Sequence, residues 1–142
     1  MSPLPATLSW HAGTLSLLDQ TRLPLEAVME PQTSVEQVWE SIKQLKVRGA
    51  PAIGIAGAYG LVVGLQAQTH LDRAAFLQEM ERLASYLDSA RPTAVNLHWA
   101  LTRMTRLAHG LTTATPLDIL AALEREAIAI HNEDRQLCRA IG

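Results

Sequence analysis

Thr33-Ser34-Val35-Glu36-Gln37-Val38-Trp39-Glu40-Ser41-Ile42-Lys43-Gln44-Leu45 is where the hydrophobic period of this chain changes. Ser34 followed by Gln37, or Thr33 followed by Glu36, forms a capping box in either register. Val35, Val38, Ile42 and Leu45 then fall three and four apart, on one apolar stripe of a helix. Upstream the period is two. Leu8-Ser9-Trp10 and Leu15-Ser16-Leu17 alternate as half-buried strands do, with Ala12-Gly13 as a turn between them. Asp19-Gln20-Thr21 reads as a second turn ahead of Leu23 and Leu25, so the expectation is an antiparallel sheet of two or three strands.

Downstream everything is helical. Pro51 is expected to begin a second helix, rich in glycine and apolar on all sides. Phe76, Met80, Leu83 and Leu87 mark a third, opened by Asp72. Pro92 is expected to open a fourth, with Ala94, Leu97, Leu101, Met104 and Ala108 inward and Gly110 as its stop. Thr115, Pro116 and Asp118 supply a cap, a first-turn proline and an acid at the positive dipole end for a fifth. Its stripe runs Leu120, Leu123, Ala127, Ile130, Leu137 and Ile141. The fold class is therefore α+β and mainly helical. One domain is expected over residues 1–142, with a small sheet in 1–31 and a helical bundle in 32–142. Gly142 is either the stop of the last helix or a boundary at which a following domain begins.

Composition narrows the function. Hydrophobic residues make up 48% and charged residues 18%, which suits a packed globule. A net charge of -2, with basic residues scattered singly, offers no footprint for nucleic acid or anionic lipid. Ala50–Leu65 is uncharged but shorter than the roughly 20 residues a bilayer requires, so a buried helix is expected and no membrane partner. Cys138, the single cysteine, makes neither an internal disulfide nor a multi-cysteine metal site, and a cytoplasmic setting is expected. The five histidines form no i, i+4 pair, so no metal is expected.

Two helix starts stand out. Thr115 caps its helix with a hydroxyl, whereas Arg48-Gly49-Ala50-Pro51 places alanine at the expected cap and leaves the first amides open beside the positive dipole end. An anion satisfies such donors. Arg48 adds a bidentate grip, and Gly49 allows close approach. Ser89-Ala90-Arg91-Pro92-Thr93 repeats the arrangement, an arginine directly before a helix-opening proline. Proline at a helix start is common and an open start can simply be hydrated, so it is the repeat that points to an anionic ligand. Gly57, Gly60 and Gly64 share a face on which another helix can pack. Gly54, Gly57 and Gly60 lack the tight first pair of a dinucleotide fingerprint. Glu124, Glu126, Glu133 and Asp134 read as the solvated face of the last helix, and Trp10, Trp39 and Trp99 as packing residues, with bordering a substrate as the alternative for Trp10 near the first turn.

These stretches carry a resemblance. Val47-Arg48-Gly49-Ala50-Pro51-Ala52-Ile53-Gly54 with Ala56-Gly57-Ala58-Tyr59-Gly60, and Ala90-Arg91-Pro92-Thr93-Ala94-Val95-Asn96-Leu97 with Trp99-Ala100-Leu101, resemble the methylthioribose-1-phosphate isomerases of methionine salvage. Leu17-Leu18-Asp19-Gln20-Thr21 with Leu23-Pro24 is similar to a third family stretch, and Glu133-Asp134, Cys138 and Ile141-Gly142 to a weaker fourth. The resemblance implies aldose-to-ketose isomerisation of a sugar phosphate without metal or organic cofactor, by a homodimer whose Rossmann-like C-terminal domain follows this region. It implies substrate binding by Arg48, Gly49, Ala50 and Arg91. The family's catalytic cysteine, in a T-H-C-N-T-G-like motif, and its later aspartate have no counterpart here, so no catalytic residue is expected in this chain and residues 1–142 alone are expected to be inactive. Related readings are a ribose-1,5-bisphosphate isomerase and a regulatory subunit of the translation-initiation nucleotide-exchange factor.

Overall fold

The computed structural model describes residues 8–11, 13–18, 29–44 and 50–141, with the side chains of 17, 18, 29, 30, 50 and 135–141 left aside. Three strands, β1 (Leu8–His11), β2 (Thr14–Leu18) and β3 (Met29–Gln32), form one antiparallel sheet in the order β1-β2-β3. The register pairs Trp10 with Leu15, and Leu15 with Gln32. Gly13, at φ +80°, takes the left-handed conformation of the β1–β2 turn, where a Cβ would be strained. Leu23, Leu25 and the expected turn at 19–21 lie outside the described residues; the third strand is Met29–Gln32. It ends at Gln32, one residue past the expected division between sheet and bundle.

Five helices follow: α1 (Val35–Lys43), α2 (Ala50–Leu65), α3 (Arg73–Asp88), α4 (Val95–Gly110) and α5 (Pro116–Ile141). α2 is the central post, touching the other four helices and the sheet. Its Ile55, Ala56, Ala58, Tyr59, Leu61, Val62 and Leu65 are almost wholly buried, which is why it is apolar all round. No helix among the described residues is long and apolar enough to cross a membrane. The glycine face serves packing as expected, against α4 at Gly57 (Leu97), α1 at Gly60 (Val38), and both α1 and α3 at Gly64 (Val35 and Leu83).

Caps set the helix starts. Ser34 Oγ accepts from the Gln37 amide at 3.2 Å, Asp72 Oδ1 from Ala75 at 2.8 Å, and Thr115 Oγ1 from Asp118 at 3.2 Å. The fourth helix departs from expectation. Pro92 lies in a turn closed by the Ala94 amide donating to the Arg91 carbonyl at 2.9 Å, and α4 begins only at Val95. Proline's fixed φ suits the second position of such a turn as well as it suits a helix start, and here the turn takes it. The α5 stripe is also shifted: Ile119 is fully buried and Leu120 only partly, with Leu123, Ala127 and Ile130 inside as expected.

Candidate functional site

The α2 and α4 starts meet. A Cβ built on Gly54 would lie 2.7 Å from the carbonyl oxygen of Asn96, so only glycine admits α4 this close. α2 includes Ala50 as its first residue, so the cap position precedes it, and Ala50 is not the cap. Proline's bias against helical geometry in its predecessor is a preference, and this first turn overcomes it. Arg48 and Gly49 lie outside the described residues. Arg91 is half-buried in the turn ahead of α4, its amide donating to the Asp88 carbonyl at 3.3 Å. Ala94 is the α4 cap, in extended geometry and with no side-chain acceptor, so this start is uncapped although it lies three residues later than expected.

Where the two starts meet, α2, α4 and α5 enclose a hollow of about 200 Å³. Pro51 and Ile55 of α2, Trp99 and Ala100 of α4 and Ile130 of α5 supply apolar walls, with Asn96, Glu133 and Asp134 as its polar groups. Arg91 is not among its lining residues.

Beside this hollow the outer face of α4 is tied to α5. Arg103 donates to Glu126 at 2.8 Å and to Glu133 at 2.6 Å, and its guanidinium stands 5.4 Å from the Trp99 ring centroid. The arginine holds the Glu133 carboxyl below the usual carboxylate range, and the two carboxylates raise the guanidinium in turn. Glu126 and Glu133 are thus not a merely solvated face, and Glu124 accepts from Trp10 Nε1 at 3.0 Å. The positions were legible; their partners were not, because Arg103 and Trp10 lie far away in sequence.

Sequence reasoning also missed a buried polar pair between α2 and α5. Tyr59 Oη and His131 Nδ1 are 2.8 Å apart, both nearly inaccessible, and Trp10 stacks on Tyr59 with centroids 4.7 Å apart. The signal was present: His131 falls four residues after Ala127, on the inward stripe of α5. Trp10 packs on the core as expected.

The profile of the Initiation factor 2 subunit family matches residues 46–142. The chain is 45% identical over 137 residues to a 5-deoxyribose 1-phosphate isomerase of Moorella thermoacetica, covering 96% of this chain and 39% of that protein. It is 47% identical over 133 residues to a methylthioribose-1-phosphate isomerase of Nostoc punctiforme, covering 94% and 37%. The crystal structure of 5-methylthioribose 1-phosphate isomerase from Pyrococcus horikoshii OT3 superposes with a TM-score of 0.86 at 35% identity, over 92% of this chain and 36% of that one. The translation initiation factor eIF-2B subunit delta from A. fulgidus superposes with a TM-score of 0.82 at 34% identity, over 90% and 37%. The chain therefore spans under two-fifths of the length of the curated relatives it is compared with here.

Proposed function

The chain belongs to the Initiation factor 2 subunit family, and from that premise we propose that it is the N-terminal, substrate-binding domain of a cytoplasmic, homodimeric methylthioribose-1-phosphate isomerase of methionine salvage. A Rossmann-like catalytic domain follows it in the complete protein. The observation that carries this reading is the meeting of the α2 and α4 starts at Gly54 and Asn96. An open helix start favours an anion, and each of these two is preceded in sequence by an arginine able to grip a phosphate. Arg48, Gly49 and Ala50 hold the phosphorylated end in this reading, and Arg91 approaches from the α4 side.

Isomerisation also requires a group that moves hydrogen between adjacent carbons, and that group is assigned to the second domain. The likeness to both kinds of sugar-phosphate isomerase supports the reaction class. The likeness to the eIF-2B subunit supports a rival, a non-catalytic subunit that works by binding protein partners. Turnover decides between them. The complete protein is expected to convert methylthioribose 1-phosphate to the ketose, and to do so faster than it converts ribose 1,5-bisphosphate. A stable complex with partner subunits and no turnover of either sugar would establish the rival.

A further inference from the structure

Trp99 is a large apolar side chain left 52% exposed. One face is met by the Arg103 guanidinium, which Glu126 and Glu133 fix in turn. A half-exposed indole with one face so met is a preformed wall, and ordering it on binding costs little. Pro51 and Ile55 of α2 line the same hollow, and Pro51 directly follows the run assigned above to the phosphorylated end of the substrate. In that reading a sugar bound at the α2 start lies beside this hollow.

We propose, resting on the isomerase reading above, that this hollow receives the apolar substituent on C5 of the sugar phosphate. Trp99 is then its specificity-determining wall, and the Glu133 and Asp134 carboxylates reject a second phosphate at that carbon. Both kinds of isomerase that this chain resembles are named for sugars apolar at that position, one carrying a methylthio group and the other no oxygen. A thioether is attracted to an aromatic ring, and the walls here match it. The charges favour the same ligand. On the α5 side of the hollow the charged groups among the described lining residues are Glu133 and Asp134, both acidic, which disfavours a second phosphate there.

The test measures kcat/KM of the complete protein for methylthioribose 1-phosphate, 5-deoxyribose 1-phosphate and ribose 1,5-bisphosphate. Trp99→Ala is expected to lower the value for the methylthio sugar about tenfold or more, through KM, and to affect the smaller 5-deoxy sugar less. Trp99→Phe is expected to restore most of the loss, and Asp134→Asn to raise the relative value for the bisphosphate several-fold, in the order of about 3–10. An equal loss on all three sugars, a fall in kcat with KM unchanged, or no loss at all overturns the subsite while leaving the isomerase reading intact. Failure of the parent protein to turn over any of the three overturns the isomerase reading, and the subsite with it.

Discussion

At Gly54 a single hydrogen atom separates two helices. An added Cβ would meet the carbonyl oxygen of Asn96 at 2.7 Å and its carbonyl carbon at 3.1 Å, both backbone atoms of α4 that cannot swing aside. Alanine gains helix propensity of about 1 kcal/mol over glycine, but overpacking of this kind costs about 1–3 kcal/mol. Gly54→Ala is therefore expected to lower stability by about 0–2 kcal/mol net in urea unfolding, and to push the two helices apart. Gly57→Ala meets the tip of the Leu97 side chain, which has other rotamers, and is expected to be nearer neutral. If the two variants unfold alike, α4 does not press on Gly54 through its backbone. Both glycines were legible as close-packing positions, because small residues at helical spacing imply a neighbour. Which neighbour, and that Gly54 faces backbone while Gly57 faces a side chain, follows only from the tertiary arrangement.

Helix α1 shows how a local motif becomes an element. Ser34 Oγ accepts from the Gln37 amide, while Gln37 Oε1 reaches back one residue past the cap, accepting from the Thr33 amide at 2.6 Å and its hydroxyl at 3.0 Å. Ser34→Ala removes the forward bond and is expected to cost about 1 kcal/mol, measured by thermal or urea unfolding. The tie between α4 and α5 makes a different prediction, on pH. Because Arg103 holds Glu133 below its ordinary value of 4.5, the unfolded chain takes up the proton first as pH falls. The pair's contribution is complete above 4.5 and disappears as pH drops through the folded value. Glu133 is 55% exposed, so the effect is small, about 0–1 kcal/mol. The melting temperatures of the parent and of Glu133→Gln are expected to differ at neutral pH and to converge in acid; a constant gap would assign the difference to packing. Periodicity and caps made most elements legible, since they are local. Pro92 misled because its φ serves a turn and a helix start equally, and Ile119 displaced Leu120 because the angular drift of a long helix is settled by what it packs against.

For the molecule as a whole, the question is what this much chain can do alone. Its core is one connected cluster running from Leu8 and Leu15 of the sheet through Ile55, Tyr59 and Leu61 of α2 to Leu123 and Ile130 of α5. Sheet and bundle are therefore expected to unfold together in a single transition. Under the proposed function the binding site is shared with a second domain, and that is a different matter. The described part offers a pocket wall and uncapped amides, and the chain lacks the T-H-C-N-T-G-like motif expected of the catalytic domain. General acid–base assistance is worth about 10²–10⁴-fold, and binding without it leaves the carbon-bound hydrogen where it is. Residues 1–142 expressed alone are expected to melt cooperatively, to bind methylthioribose 1-phosphate weakly by calorimetry, and to produce no ketose above a buffer control. Ketose formed by this piece would place the proton-moving group inside the chain. Glu133 and Asp134, the carboxylates that face the hollow, would then be the first to substitute.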